Sequence, residues 1–330
     1  RNGGHMSSEG AWQVASGERV SLASSDGTTT LRGYLWEPVA GGSEPRGIVV
    51  LVHGMCEHIE RYEGLARALA RAGFAVCGYD QIGHGASADE SRWGDISSHG
   101  GADFLVEDVD RMRRLAEDRW GAGVPPFVFG HSMGSFVTLN YVQRHGDGLA
   151  GAVICGTGTV AVSKARMGKR VARLICATRG DDHKSSLLHS MADGAYSKAI
   201  PGARTDFDWL SFDQGNVDDY IADPACGFPF SSGGYATLTE LTEHACDPAC
   251  ARSIPSGLPL LYIGGAGDPV GDFGKGVRAA ADLARSSGVR DVTCTVYEGM
   301  RHEILQEADA ERVMADVVDW MSQRCGEARA

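Results

Sequence analysis

The stretch Gly130-His131-Ser132-Met133-Gly134 decides how the rest of the chain is interpreted. It follows the apolar run Phe127-Val128-Phe129 and precedes a segment that predicts a helix to about His145. A strand that ends before Ser132 and a helix that leaves directly after it would expose the serine hydroxyl in a sharp turn, the arrangement called a nucleophile elbow. Glycines two positions before and after the serine would let strand and helix pass closely, because glycine has no Cβ. Ser132 is therefore the candidate nucleophile.

Strands and helices alternate on both sides of this stretch. Before it, the sequence predicts a hairpin over 17–36, a buried strand at Ile48-Val49-Val50-Leu51-Val52, a helix over 59–72, a strand over 73–79 and a helix over 102–120. After it come strands at 149–155, 258–263 and 292–297, a helix through Arg278 and a last helix from about residue 303 to Met321. This alternation predicts an α/β fold with a mostly parallel sheet flanked by helices.

The alternation stops for about a hundred residues after the strand at 149–155. We therefore assign 7–156 and 257–330 to one core domain and 157–256 to a helical cap (lid) inserted at the carboxyl edge of the sheet, where open α/β sheets bind ligands. The first six residues, 1–6, look like an expression remnant, which excludes His5 as a ligand.

Composition narrows the classes of function. The 330 residues are 43% hydrophobic, enough for a large core, and contain no apolar run of the ~20 residues that a membrane span needs. A net charge of −12 argues against nucleic-acid binding, which needs clustered basic residues. The nine cysteines are scattered and mostly within apolar runs, which favours reduced thiols. The expected location is cytoplasmic.

A serine nucleophile needs a base, a carboxylate that orients the base, and amide donors for the oxyanion. Asp268 follows the strand at 258–263 in a glycine-rich turn, and His302 follows the strand at 292–297. Nucleophile, acid and base thus occur in the order that serine hydrolases use on such a sheet. Taken singly, Asp268 could start a turn and His302 could belong to a helix N-terminus; Asp272 is the reserve acid.

The oxyanion donors are expected to be two backbone N–H groups, those of Met133 after the nucleophile and Met55 in the loop after the strand at 48–52. A metal cluster of His53, Cys56, Glu57 and His58 is the rival interpretation of that loop, and no remote ligands complete it. Gly265-Ala266-Gly267 and Gly274-Lys275-Gly276 lack the remaining residues of nucleotide-binding loops. We therefore expect no metal and no cofactor.

Five motifs together carry a family resemblance: His53-Gly54-Met55-Cys56-Glu57-His58, Tyr79-Asp80-Gln81-Ile82-Gly83-His84-Gly85, Gly130-His131-Ser132-Met133-Gly134, Gly267-Asp268-Pro269-Val270 and Arg301-His302-Glu303. From about Val20 to Met321 the chain resembles the monoglyceride lipase and bacterial lysophospholipase-like (serine aminopeptidase-type) branch of the α/β-hydrolases. The resemblance implies an α/β-hydrolase fold, Ser132 as nucleophile, Asp268 as acid, His302 as base, and the Met55 and Met133 amides as the oxyanion hole. Gln81 replaces the usual arginine or histidine, a change expected to affect only the pocket edge.

The segment Ser163–Arg179 is basic in an otherwise acidic chain. On a helix, Met167, Val171, Leu174 and Ile175 would share one face, and Arg166, Lys169, Arg170 and Arg173 another. Either the apolar face packs on the core and the charges lie in water, or the helix meets anionic lipid in a transient membrane contact. Aromatic residues at 207–212 and 226–230 would line an apolar pocket.

These observations predict a serine carboxylic-ester hydrolase that cleaves a monoacyl lipid, either a monoacylglycerol or a lysophospholipid. A proline iminopeptidase-like aminopeptidase would need carboxylates in the cap, for which Asp206, Asp208, Asp213, Asp218 and Asp219 are candidates. A short-chain carboxylesterase, an acyltransferase and a non-catalytic binding protein also stay open. The sequence leaves the oligomeric state unspecified.

Overall fold

The computed structural model describes residues 16–39 and 44–327, so the prediction for 1–6 lies outside it. An eight-stranded sheet forms the centre, in the order β1-β2-β4-β3-β5-β6-β7-β8. Its strands are β1 Glu18–Ala23, β2 Thr30–Trp36, β3 Ile48–Val52, β4 Ala75–Tyr79, β5 Pro126–His131, β6 Gly151–Cys155, β7 Leu260–Gly265 and β8 Val292–Tyr297.

All pairings from β4 to β8 are parallel, whereas β2 pairs antiparallel with both β1 and β4. Every residue of β3 to β7 is buried, which is why these strands are continuous apolar runs without polar alternation. The predicted α/β-hydrolase fold with a mostly parallel sheet is confirmed.

Helices cover both faces of this sheet. One core lies between the sheet and α2, α3 and α10, and a second lies between the sheet and α1 and α11. The bounds of these helices are α1 Glu63–Arg71, α2 Gly101–Trp120, α3 Met133–His145, α10 Lys275–Ser286 and α11 Ala310–Glu327. Because the parallel strands are covered on both faces, their carboxyl ends are the accessible edge for a site.

The last helix begins at Ala310, so the expectation that it starts near residue 303 is wrong. The residues between 303 and 310 instead form hydrogen bonds with other parts of the chain. The Glu303 N–H donates to the Leu210 carbonyl at 2.7 Å, and the Glu307 carboxylate accepts from the N–H groups of Arg301 (2.8 Å) and Phe212 (3.0 Å). These tertiary hydrogen bonds replace the first turns of a helix. His302 accordingly lies on a loop and not at a helix N-terminus.

We call residues 157–256, between β6 and β7, the cap segment. It contains α4 Val162–Arg179, α5 Ser186–Met191, α6 Asp193–Lys198, α7 Gln214–Ala222, α8 Ser232–Cys246 and α9 Pro248–Ala251. Within the part of the chain that the structure describes, no helix combines the length and apolar character needed to cross a bilayer.

Helix α4 follows the predicted orientation, with its apolar face on the core, only in part, because Val171 and Ile175 pack against the core and the other two apolar residues of that face do not. Its buried positions are the small residues Ala165, Ala172 and Cys176, whereas Met167 and Leu174 are 57% and 66% exposed. The basic side chains Arg166, Lys169 and Arg173 turn towards α8, where they pair with acidic residues. These ion pairs with α8 determine which face of α4 points outward. The sequence of α4 alone does not contain them.

Candidate active site

Ser132 lies in the turn between β5 and α3. Its backbone has φ 54° and ψ −119°, a conformation that non-glycine residues rarely adopt. A Cβ on Gly130 would lie 2.2 Å from the Gly134 carbonyl oxygen, and one on Gly134 would lie 2.2 Å from the Val52 carbonyl oxygen. Both positions therefore require glycine, and their close approach holds the strained turn in place.

Asp268 and His302 meet at the carboxyl edge of the sheet. His302 Nδ1 is 2.8 Å from Asp268 Oδ2. The side chain of His302 is 2% exposed, and that of Asp268 is 0% exposed. The other carboxylate oxygen of Asp268 accepts from the Val270 N–H at 2.8 Å. This pairing fixes the ring orientation and gives Nδ1 the proton, which leaves Nε2 as the free basic nitrogen. Asp272, the reserve acid, is exposed and takes no part in the pairing.

Ser132 and His302 line one cavity of about 620 Å³. Its walls combine loops from the carboxyl edge of the sheet with residues from the cap segment. Apolar and aromatic side chains form much of the lining, namely Phe136, Tyr196, Phe207, Trp209, Leu210, Tyr220, Phe228, Phe230, Leu238 and Val270. Of the predicted aromatic residues, Phe212 lies elsewhere, with its ring under the Arg301 guanidinium at 4.0 Å.

Met55 and Met133 border the same cavity, and within the described ranges neither backbone N–H has an acceptor. The N–H groups on either side of Met55 are occupied. Gly54 donates to Glu57 Oε1 at 2.5 Å, and Cys56 donates to His84 Nε2 at 3.1 Å. The loop thus leaves one unpaired N–H beside the first helical N–H of α3, an arrangement that suits a developing oxyanion.

The buried side chains of His84 and Gln81 hydrogen-bond to the backbone of this loop. His84 is neutral, because burial lowers its pKa to about 3, and its Nε2 accepts the Cys56 N–H. The Gln81 side-chain amide donates to the His53 carbonyl at 2.7 Å, and its backbone N–H donates to His53 Nε2 at 2.9 Å. Gln81 itself does not border the cavity, so any effect on the pocket edge would pass through this loop.

His131 and Glu57 form an ion pair that sequence reasoning missed. His131 Nδ1 is 3.4 Å from Glu57 Oε1, and Nε2 donates to the His302 carbonyl at 3.1 Å. Burial lowers the pKa of His131, but the hydrogen bond and charge of Glu57 outweigh burial and raise it. Burial alone would raise the pKa of Glu57. The hydrogen bond and charge of His131 and the charge of Arg61 outweigh burial and hold this pKa well below its usual range. The position of His131 beside Ser132 was the available sequence signal.

Arg61 joins this pair to the His302 loop. Its Nη2 is 2.8 Å from both carboxylate oxygens of Glu303, and its Nε lies 3.3 Å from Glu57 Oε2. All three side chains are at most 5% exposed, so their charges are compensated within the protein. The residue that follows His302 is thereby anchored to the loop that carries Met55.

The rival metal cluster of His53, Cys56, Glu57 and His58 does not assemble in the described residues. Both ring nitrogens of His53 are occupied, by the Gly54 carbonyl and the Gln81 N–H. One different group has ligand atoms that all lie within 4.8 Å of one another, namely His58, Asp223 and Cys226. In it, His58 Nε2 already pairs with Asp223 Oδ2 at 2.8 Å, a contact that ties the core to the cap segment.

Residues 43–309 match the family model of the serine aminopeptidases, S33. The chain belongs to this family. A monoacylglycerol lipase of Mycolicibacterium smegmatis is 29% identical over 87% of this chain and 91% of that protein. The human monoglyceride lipase is 25% identical over 92% of this chain and 90% of that protein.

Among solved structures, a thermostable carboxyl esterase of Bacillus coagulans in complex with glycerol superimposes with a TM-score of 0.87. It is 29% identical, and the match covers 93% of this chain and 98% of that one. Family, relatives and fold agree that this S33-family chain is a serine ester hydrolase of the monoglyceride lipase branch. The predicted branch and enzyme class are confirmed.

Proposed function

We propose that the chain hydrolyses the ester bond of monoacylglycerols through an acyl-serine intermediate formed on Ser132. The observation that carries the proposal is the buried pairing of His302 with Asp268 on the wall of the cavity that contains the strained Ser132 turn. Relatives in bacteria and mammals named monoacylglycerol or monoglyceride lipase, which the chain matches over most of its length, support the substrate class.

In the proposed reaction, His302 Nε2 removes the proton from Ser132 Oγ as this oxygen attacks the ester carbonyl carbon. The Asp268 carboxylate stabilises the imidazolium that results. The carbonyl oxygen becomes negative and accepts hydrogen bonds from the Met55 and Met133 N–H groups. His302 then donates the proton to the leaving glycerol oxygen as the ester C–O bond breaks. His302 then takes a proton from a water molecule that attacks the acyl carbon, and returns it to Ser132 Oγ as the acyl-serine bond breaks and the fatty acid leaves.

The apolar lining of the cavity suits the acyl chain of such a substrate. Buried aromatic side chains from the cap segment, among them Trp209 and Phe230, line the cavity together with the apolar Phe136 from the core. Transfer of an acyl chain from water to this lining contributes roughly 0.8 kcal/mol per methylene group. Because this binding energy grows with chain length, we expect long-chain esters to have the lower KM.

The aminopeptidase alternative is less supported by the described residues. Among the candidate carboxylates for an α-ammonium, Asp208 accepts from the Arg204 N–H and Thr205, Asp213 accepts from the Gly215 N–H, and Asp218 pairs with Arg204. These carboxylates serve the cap segment itself. Asp206 borders the cavity, but it is exposed to solvent, which weakens any single ion pair.

The cap segment also supports a proposed transient contact with a lipid surface. Met167 and Leu174, seven residues apart and therefore on one face of α4, are exposed beside the exposed Arg170. Apolar side chains flanked by a cation are typical of helices that lie in the interface of an anionic bilayer. The basic residues first considered for this contact, Lys169 and Arg173, are instead paired with α8.

The test of the proposed function is hydrolysis of four substrates by wild type and Ser132→Ala: a 1-monoacylglycerol, a lysophosphatidylcholine, a short p-nitrophenyl ester and an aminoacyl anilide. We expect fatty-acid release from the monoacylglycerol that falls by more than about 10³-fold in Ser132→Ala. Cleavage of the anilide alone would contradict the proposal and favour a peptidase. Full activity of the variant would exclude Ser132 as the nucleophile.

A further inference from the structure

Three side chains from two distant parts of the sequence meet where the core joins the cap segment. His58 lies in the loop that carries Met55, and Asp223 and Cys226 follow α7. Their imidazole, carboxylate and thiol ligand atoms all lie within 4.8 Å of one another. Among the residues that the structure describes, no other three side chains with such ligand atoms come this close together. The group is therefore the candidate for a metal site.

The thiol of Cys226 is the member of this group that has no partner. The residue is 7% exposed, and within the described ranges its sulfur takes part in no hydrogen bond. The two other members are oriented towards each other, with His58 Nε2 2.8 Å from Asp223 Oδ2. The second oxygen of Asp223 accepts from the Ala225 N–H at 2.8 Å, which fixes the carboxylate in this orientation.

Backbone hydrogen bonds hold the segment that contains Asp223 and Cys226 against the core. The Cys226 N–H donates to the Asp223 carbonyl at 3.0 Å, so the two residues form one turn. The Gly227 N–H and the Tyr220 hydroxyl both donate to the Cys56 carbonyl, each at 2.9 Å. The three ligand atoms are thus brought together before an ion binds, which lowers the entropic cost of binding.

The charges around the group suit a cation. The negative charges of Asp223 and Asp80 act on His58, and the positive charge that opposes them is that of Arg61. Arg61 is itself compensated by the two buried carboxylates with which it pairs. The Asp223 side chain is 13% exposed, so an ion can enter from solvent.

The donor set selects among metals. Zinc accepts imidazole nitrogen, carboxylate oxygen and thiolate sulfur together, whereas magnesium and calcium prefer oxygen alone. Zinc bonds of about 2.0–2.3 Å place the ligand atoms of a tetrahedral site about 3.3–3.7 Å apart. The His58–Asp223 pair would open by less than an ångström, and the Cys226 sulfur would move closer by a similar amount.

We propose that His58 Nε2, Asp223 Oδ2 and Cys226 Sγ bind one zinc ion, with water in the fourth position, and that the ion fastens the cap segment to the loop that carries Met55. His58 coordinates as neutral imidazole and Cys226 as thiolate, and the protons that they give up pass to water. The ion takes no part in the reaction at Ser132, so this inference does not rest on the proposed substrate.

The test titrates the full chain with Co²⁺, which reports thiolate ligation by a charge-transfer band in the near ultraviolet, and then with Zn²⁺. Cys226→Ser keeps the His58–Asp223 pair and almost the same volume, and the half-buried Cys250 supplies the matched control Cys250→Ser. We expect the band in wild type and Cys250→Ser and its loss in Cys226→Ser. Zinc affinity should fall about 100-fold or more in Cys226→Ser, since removal of outer-shell partners alone costs 10–100-fold.

Zinc should also raise the urea midpoint of wild type and leave that of Cys226→Ser unchanged. A cobalt band that persists in Cys226→Ser would overturn the inference, because another thiol would be the ligand. Failure of wild type to bind one zinc ion per chain at micromolar concentrations would also overturn it, and would leave Cys226 as a packing residue. Asp223→Asn, which retains the thiol, is the second variant; zinc affinity equal to that of wild type would exclude this carboxylate as a ligand and overturn the site.

Discussion

The sheet loops and the cap segment line the same cavity, but they use their polar groups differently. On the sheet side, Asp268, His302, Glu57, Arg61 and His131 are all buried and joined in pairs, and the loop around Met55 is held by two further hydrogen bonds. On the cap side, Met167 and Leu174 are exposed, and Asp193 retains an unpaired oxygen.

This difference indicates a division of labour. A reaction that depends on atoms placed to within a fraction of an ångström needs rigid supports. A surface that accepts variable lipids gains from groups that are not already paired within the protein. We therefore expect substitutions on the sheet side to affect all substrates alike, and substitutions on the cap side to affect particular substrates or particular assay conditions.

The largest expected effect is that of Asp268→Asn. The amide can present its NH₂ group to Nδ1 and so favour the wrong tautomer of His302, which should lower kcat by about 10⁴-fold on every ester substrate. Steady-state kinetics on a monoacylglycerol and a p-nitrophenyl ester check this. Asp272→Asn, four residues away and exposed, is the matched control and should retain activity. A selective loss on one substrate would break the proposed division.

The second-largest expected effect is a loss of stability that a substitution on the sheet side causes and a matched substitution on the cap side does not. In Gly134→Ala the new methyl group would lie 2.2 Å from the Val52 carbonyl oxygen, so α3 must move away from β3. We expect the free energy of unfolding to fall by about 3 kcal/mol, as for other overpacked cores. Gly194→Ala in α6 is the cap-side control, because its nearest new contact is an ordinary 3.6 Å. Urea unfolding of both variants measures the difference, and similar losses would contradict the comparison.

Exposed apolar residues of α4 should matter only at a lipid surface. For the double variant Met167→Ser, Leu174→Ser we expect turnover of monoacylglycerol in anionic vesicles to fall several-fold, up to about tenfold, because less apolar area enters the interface. Turnover of a short soluble ester should stay within about twofold. Val39→Ser, an exposed apolar residue outside the cap segment, is the control. Equal effects in both assays would argue against the membrane contact.

The smallest expected effect is on the free energy of unfolding, and it comes from the His58–Asp223 contact between a sheet loop and the cap segment. Burial lowers the pKa of His58, but the hydrogen bond and charge of Asp223 outweigh it and raise the pKa. The folded pKa exceeds the unfolded value of about 6.5, so this stabilisation is fully present below about pH 6.5 and is lost as the pH rises through the folded pKa. Asp223, whose pKa the His58 hydrogen bond lowers, contributes above about pH 4.

Asp223→Asn should therefore lower the free energy of unfolding by about 1 kcal/mol at pH 6 and by less at pH 9. Asp218→Asn, which removes an exposed ion pair within the cap segment, should show no such dependence on pH. Urea unfolding at the two pH values provides the measurement. A larger loss at pH 9 than at pH 6 would contradict a raised pKa of His58 in the folded protein.

The sequence indicated the sheet because its signals are local. β-Branched runs such as Ile48–Val52 form strands buried on both faces, and this fold class is confirmed. The glycines around Ser132 have no room for a Cβ, so their spacing already carried the geometry of the turn. Asp268 and His302 follow adjacent parallel strands, β7 and β8, and parallel strands end at the same edge. Their roles, and the role of the cap segment as a lid, stay predictions.

The tertiary structure alone decided the features that depend on distant partners. The face of α4 that points outward depends on Glu240 and Glu243 of α8, more than sixty residues away. The start of α11 depends on hydrogen bonds to residues 210–212, and the charge of His131 depends on Glu57. Asp193 is one acidic residue among many in the chain until its oxygen is seen buried and unpaired. Sequence determines strands, turns and the order of reactive groups because these follow from neighbouring residues, whereas burial and pairing arise only when distant segments meet.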